Sequence, residues 1–184
     1  MRVAISGAHC TGKTTLVREV IERMPDVIAQ GNIMRSMIQL GHGVGPNTTP
    51  ETLATYLLRQ TELEGKASPS ANAICDRVFA DGVAYVLAAV DLGIAAYTWT
   101  PEVLELLKSV AVLHAARYDR HVLVRTLLPL PECHPMHVYG SSYQQLVDSH
   151  LHELLQHQWS VEVVELFGTL DDNVRTVTEL LQRS

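Results

Sequence analysis

Apolar residues along the chain fall into two alternating kinds of run. Short β-rich runs precede longer ones whose apolar positions recur every three or four residues, the period of a helix with one buried face. The first short run is residues 1–6, MRVAIS. Leu16, Val17, Val20, Ile21 and Met24 then fall at helical spacing, and Pro25 closes that run. DVIAQ, residues 26–30, reads as a second strand. NIMRSMIQLG, residues 32–41, reads as a short helix stopped by Gly41, Gly43, Gly45 and Pro46. Thr49-Pro50-Glu51 opens a longer one, with Thr49 as the N-cap and Pro50 as the first helical residue, running to about Lys66.

The second half continues the alternation. NAICD, residues 72–76, predicts a third strand, and FADGVAYVLAAVDLG, residues 79–93, a helix. Thr100-Pro101-Glu102 starts another helix by the same cap logic, to about Ala116. HVLVRTLL, residues 121–128, predicts the fourth strand, and residues 129–141, with three prolines, a loop. Tyr143, Val147, Leu151 and Leu154 line one helix face. SVEVVELF, residues 160–167, is a fifth strand, and Val174, Val177, Leu180 and Leu181 mark a last helix. Strands that alternate with helices predict an α/β fold of three layers, a five-stranded parallel sheet with helices on both faces.

Composition narrows this picture. The 184 residues are 47% hydrophobic and 18% charged, which suits one domain over residues 1–184 with a real core. Residues 82–99, GVAYVLAAVDLGIAAYTW, are the one stretch apolar enough to raise a membrane span. Asp91 and two glycines interrupt it and it lacks basic flanks, so a buried helix followed by a loop is the reading, with no membrane partner. The apolar part of the amino terminus is too short for a secretion signal. Cys10, Cys75 and Cys133 are odd in number, far apart and without a CxxC pair, which points to a reducing, cytoplasmic setting. A net charge of −6 and a pI near 5.8 lack the basic surplus of a duplex-binding protein. Nucleic acid is therefore a disfavoured partner, although a local basic patch stays open.

Against that background one motif carries chemistry. Residues 7–14, GAHCTGKT, match GxxxxGK[ST] between a predicted strand and a predicted helix. The loop must aim successive backbone N–H groups at phosphate oxygens, and Gly7 and Gly12 allow backbone angles that a Cβ forbids. The helix start adds its positive dipole end. Lys13 places a full charge on the β- and γ-phosphates, Thr14 offers a hydroxyl to Mg²⁺, and Thr15 suits the α-phosphate. The ATP-binding set is thus Gly7, His9, Cys10, Thr11, Gly12, Lys13, Thr14 and Thr15. Within it, His9 and Cys10 read as spacers whose side chains point outward, and Cys10, beside a positive loop, as a thiol of raised reactivity.

A phosphate loop alone does not distinguish kinases from other NTPases. No NKxD guanine reader is present, and the third strand ends ICDR rather than in the Asp-Glu or Asp-Asp of a typical ATPase. An acidic residue at the end of a neighbouring strand falls beside the loop, because open α/β sheets bind ligands there. Asp76 is placed to accept an acceptor proton or to hold water on Mg²⁺, and Arg77 to brace charge on the acceptor. The bland alternative is that Asp76–Arg77 only caps the next helix. A charged pair directly after a buried strand argues for partners or a ligand.

ISGAHCTGKTTL followed by ICDRVFADGVAY resembles the thymidylate-kinase-like branch of P-loop kinases. More closely it resembles small AAA-type kinase domains related to the nicotinamide-riboside kinase of NAD-biosynthesis regulators. Gly7, Gly12, Lys13, Thr14 and Thr15 match the loop, and Arg35 an arginine after strand two. Arg59, Gln60 and Glu64 match the next helix, and Asp76, Arg77, Asp81 and Tyr85 the third-strand motif. Tyr118-Asp119 match a pair before strand four, and Gly168 a turn after strand five. The resemblance implies an ATP- and Mg²⁺-dependent kinase for a small nucleoside or nucleotide acceptor. Its catalytic residues would be Lys13, Asp76 and Arg77, with Thr14 and Asp76 at the metal. Arg35, Arg59 and Arg77 would hold the acceptor, aided by the helical region 32–66 and a lid-like loop at 129–141.

Two departures stand out. Asn32 replaces an acidic residue three positions before Arg35, and residues 135–141 lack the lid arginines of related kinases. Arg120, Arg125 or a histidine are the candidate substitutes. Two alternatives follow, a kinase acting on a hydroxymethylated base in DNA and a nucleotide-binding regulatory module with little turnover. A homodimer is left open. Cys133, His134 and His137 make a poor zinc pattern, and His150, His152 and His157 read as solvated or interface residues of one helix. Trp99 and Trp159 read as core or loop anchors, Asp91 and Asp171-Asp172 as helix-end residues. Arg175 belongs either near the adenine or on the surface.

Overall fold

The computed structural model describes residues 1–66, 71–132, 136–157 and 162–182. Five strands, β1 (Arg2–Ser6), β2 (Ile28–Gln30), β3 (Ala73–Asp76), β4 (Arg120–Val124) and β5 (Val163–Leu166), form one parallel sheet in the order β2-β3-β1-β4-β5. Among the described residues seven α-helices connect and cover them: α1 (Lys13–Arg23), α2 (Ile33–Gln39), α3 (Pro50–Lys66), α4 (Phe79–Asp91), α5 (Pro101–Ala115), α6 (Gly140–His157) and α7 (Leu170–Gln182).

Alternation along each strand sends side chains to opposite faces and so builds two cores. Val3, Ile5, Ile74, Val122 and Val124 join Leu16, Val17 and Val20 of α1 and Val174, Val177 and Leu181 of α7. Ala4, Cys75 and Leu123 face the other way, into a larger cluster formed with α3, α4 and α6. Every residue of α4 from Phe79 to Ala89 is buried, which accounts for its nearly unbroken apolar sequence. Among the described residues no helix is long and apolar enough to cross a membrane.

β1 lies at the centre, flanked by β3 on one side and β4 on the other. The chain leaves β1 through α1 on one face of the sheet and β3 through α4 on the other, so the carboxyl end of β1 opens onto a crevice. The helices predicted from periodicity appear within a few residues of their expected bounds. β4 is shorter than the expected 121–128. The ladder ends where Arg125 N–H donates to the Leu166 carbonyl, and the chain then bends over the loop after β1, where Leu128 N–H donates to the Cys10 carbonyl at 2.9 Å. The expected loop 129–141 contains a 3-10 turn at His137–Tyr139, and α6 begins inside it at Gly140.

Candidate functional site

The chain leaves β1 at Ser6 and turns through residues 7–12 before α1 begins at Lys13. Gly7 has φ 151° and Gly12 φ 82°. A Cβ on Gly7 would stand 2.6 Å from the Val124 carbonyl oxygen, so neither angle nor space admits a side chain there. Thr11 Oγ1 donates to the Ala8 carbonyl at 3.1 Å. Lys13 is buried, and its ammonium donates to that same carbonyl and to Thr11 Oγ1. Burial pushes the Lys13 ammonium well below its ordinary range and Arg77 pushes the same way, against Asp81 and Asp76. A cation held under such conditions gains most from an anion delivered into the loop.

Asp81, fully buried in the first turn of α4, fastens the loop to its neighbours. Its carboxylate accepts from Ser6 Oγ (2.9 Å), Gly7 N (3.2 Å), Val78 N (3.0 Å) and Arg77 Nη1 (3.2 Å). Four donors satisfy a charge that burial alone would not tolerate. The helix cap that the bland reading gave to Asp76–Arg77 is supplied by Asp81 instead. A lone acidic residue inside an apolar helix was the signal for such a role.

Asp76 ends β3 beside the loop. Thr14 Oγ1 donates to its Oδ2 at 2.9 Å, while Oδ1 is buried without a partner among the described residues. Arg77 follows with φ 73°, unusual for a residue with a side chain. Its guanidinium donates to the Gly7 carbonyl (3.3 Å), Asp81 (3.2 Å) and Tyr85 Oη (3.3 Å) and lies over the Tyr85 ring, 5.3 Å from its centre.

Three cavities surround this frame. A cleft of about 220 Å³ follows the loop from His9 to Thr15 and reaches Asn32, Arg35 and Arg77. A second cavity, about 210 Å³, combines His9, Asn32, Arg35, Arg77 and Tyr85 with apolar walls from Met34, Ile38, Val44 and Met136. A third, about 290 Å³, lies on the opposite flank of the loop between Thr11, Thr15, Leu128, Thr169 and Asn173.

The expected site residues thus divide. Gly7, His9, Cys10, Thr11, Gly12, Lys13, Thr14 and Thr15 share the loop, Asp76 and Arg77 border it, and Arg35 lines both adjoining cavities. Arg59 does not join them: it is exposed on α3 and lines neither cavity. His9 departs from the outward spacer expected of it. Its ring is buried between Tyr85 and Tyr143, with Nδ1 3.1 Å from Tyr85 Oη, and its carbonyl accepts from Gln144 Nε2 at 2.8 Å. Tyr143 was expected only as part of the apolar face of α6, and nothing in the sequence but a glutamine bordering that stripe pointed to Gln144.

Neither of the two arginines offered in place of a lid arginine is free. Arg120 sits at the far end of β4, paired with Glu162. Arg125 is bound to Asp148 (2.8 Å) and Glu165 (3.0 Å). Arg175 is a surface residue paired with Asp172. His150 and His152 are not simply solvated, since they pair with Asp91 and Glu165. Trp99 is buried as an anchor. Cys133, His134, Trp159 and the side chain of His157 lie outside the described residues. Among the described residues no cluster of His, Cys, Asp or Glu could hold a metal as a set of three or more.

Gln60, Glu64 and Tyr118 meet away from the loop, near the amino-terminal ends of β1 and β4. Buried Glu64 accepts from Arg117 Nε (2.7 Å), Gln60 Nε2 (3.0 Å) and the Tyr118 hydroxyl. This part of the matched pattern is a buried polar network.

Solved structures share the fold. Deoxyadenosine kinase from M. mycoides, with dCMP and dCDP bound, superposes at a TM-score of 0.69 and 12% identity over 100% of both chains. Thymidylate kinase from Candida albicans gives 0.67 and 15% over 99% of this chain and 91% of that one. NadR protein in complex with NR gives 0.64 and 17% over 99% of this chain and 50% of that one. Among the curated proteins none matches the chain. The family model described as AAA domain matches residues 2–172, nearly the whole chain, phosphate loop and Asp76–Arg77 segment included. The chain therefore belongs to the AAA domain family.

Proposed function

We propose that the chain is an ATP- and Mg²⁺-dependent kinase that transfers the γ-phosphoryl group to a small acceptor, a nucleoside or nucleotide. One observation carries the reading: the cavity under α2 and the cleft along the phosphate loop share His9, Asn32, Arg35 and Arg77. An acceptor in the first would face a phosphate chain in the second. The third cavity, across the loop, suits the nucleoside part of ATP. The neighbouring folds were solved with deoxynucleotides or NR, which fits that assignment.

The residues also fit the metal. A buried carboxylate oxygen of Asp76 without a partner among the described residues, beside the Thr14 hydroxyl, is the hard oxygen donor set that Mg²⁺ takes. When bound, Mg²⁺ would neutralise charge on the phosphate oxygens. The chain's own groups do the rest. The loop amides and Lys13 hold the phosphates. Arg35 and Arg77 orient the acceptor and balance charge as it moves between oxygens. Asp76 is placed to take the acceptor's proton. Such transfer is mostly positioning and electrostatics, which a rigid loop tied to Asp81 supplies.

The test is ADP release from ATP·Mg²⁺ with a panel of nucleosides, nucleoside monophosphates and hydroxymethylated DNA. Acceptor-dependent ADP with a small molecule supports the proposal. Label on DNA alone would move the acceptor to nucleic acid. A second reading, a nucleotide sensor, is favoured by the engagement of Arg120 and Arg125 with carboxylates. ATP binding with no product across the panel would select it.

A further inference from the structure

We infer that Tyr85 is a positioning residue: its hydroxyl links Arg77 to His9 of the phosphate loop, so that the arginine facing the acceptor is set by the loop that holds ATP. The inference rests on the kinase reading for its consequence, and on the geometry alone for the link itself.

Counting protons fixes the direction of the chain. A guanidinium only donates, so Tyr85 Oη accepts from Arg77 Nη2 at 3.3 Å. Its own proton has one facing acceptor among the described residues, His9 Nδ1 at 3.1 Å. If Nδ1 carried the proton instead, the buried phenol hydrogen would have nowhere to go. Donation from Arg77 to Tyr85 and from Tyr85 to His9 gives the phenol hydrogen its acceptor and puts the imidazole proton on Nε2. Burial raises the Tyr85 hydroxyl above its ordinary range, against the lowering effect of Arg77, so the phenol keeps the proton that it donates.

Position makes the link consequential. His9, Arg77 and Tyr85 all line the acceptor-side cavity, and His9 and Arg77 also line the loop cleft. The other Arg77 nitrogen donates to the Gly7 carbonyl, whose own N–H donates to Asp81. The guanidinium is thus pinned at both ends to the phosphate loop, once by main chain and once through Tyr85. The left-handed backbone of Arg77 persists because these contacts over-determine it. Tyr85 also packs its ring edge against Tyr143, whose hydroxyl donates to the Tyr85 carbonyl, so the ring stays in place when only the hydroxyl is removed.

The experiment compares the full-length wild type, Tyr85→Phe, Arg77→Gln and the double variant. With the acceptor that supports turnover, Tyr85→Phe raises the acceptor KM about tenfold, the loss of one hydrogen bond to a charged group, and leaves the ATP KM within about twofold. On the Arg77→Gln background the same change adds nothing. A purely structural tyrosine would instead shift both KM values together and add fully to Arg77→Gln, which overturns the inference. A second measurement needs no acceptor. Long-range ¹H–¹⁵N NMR of the imidazoles, with His9 assigned through a His9→Gln variant, shows Nε2 protonated and Nδ1 bare in the wild type, with the Nδ1 resonance moved in Tyr85→Phe. A proton on Nδ1, or an unchanged Nδ1 resonance in the variant, overturns the link. If ATP binds but no acceptor is phosphorylated, the kinase reading fails while the NMR result still decides the link.

Discussion

Thr14 Oγ1 donates to Asp76 Oδ2 at 2.9 Å, joining the phosphate loop to the end of β3. The second carboxylate oxygen is buried and has no partner among the described residues. Natural structures rarely keep such an atom without a use, since an unsatisfied buried polar atom costs about 1–3 kcal/mol.

Asp76→Asn therefore separates function from stability. The amide relieves a buried charge and keeps a hydrogen-bonding group toward Thr14. Stability in urea stays within about 1 kcal/mol of the wild type or rises, while kcat falls about 10²-fold or more. Denaturation midpoints and initial rates on the same preparation check both halves.

Asp81→Asn behaves in the opposite way. It leaves the Arg77 guanidinium beside a neutral amide and, because Gly7 N–H and Val78 N–H donate to different carboxylate oxygens, turns an NH₂ toward one of those two backbone donors. Removing one partner of a buried pair costs about 3–5 kcal/mol. Chemical denaturation should show that loss, and equal stability in variant and wild type would remove Asp81 as the fastening of the loop.

Acid stability follows from the histidines at the opposite end of the sheet from the loop. Burial pushes His121 from its ordinary 6.5 down to about 4, against the Ala115 carbonyl bond, with His114 adding to the lowering. His114 is itself lowered by burial and by Arg117, against Glu64. The unfolded chain binds a proton at His121 below pH 6.5, the folded chain only below about 4. The contribution is complete above 6.5 and is lost as pH falls from there through about 4, about 3 kcal/mol in all. Urea midpoints from pH 8 to 4 should fall across that window, and less steeply in His121→Asn. Parallel slopes would contradict the assignment.

The fold was legible because periodicity reports burial directly. Five apolar runs and the helices between them needed only the spacing of residues such as Leu16, Val17 and Val20. The phosphate loop was legible because glycine and lysine spacing is a geometric demand on a short segment. What stayed hidden depends on contacts between distant residues. Asp81 and Tyr85 were visible as matched letters, yet their work appears only when α4 is laid beside the loop. His9 was read as a spacer because nothing local reveals the pocket that Tyr85 and Tyr143 make for it. Arg59 and Glu64 belong to one matched stretch of α3, and the fold separates them from the loop because α3 runs away from it. Arg125 looked free until Asp148 and Glu165, on two other elements, closed around it.

The central claim is that the loop from Gly7 to Thr15 binds ATP with magnesium through Lys13. Titration calorimetry of the full chain with ATP, with and without Mg²⁺, tests it most directly. Magnesium-dependent binding in the wild type should weaken by about 10²-fold in Lys13→Ala, whose thermal midpoint stays equal or higher because a buried charge is gone. No magnesium-dependent heat in the wild type, or equal affinity in a folded Lys13→Ala, would contradict it.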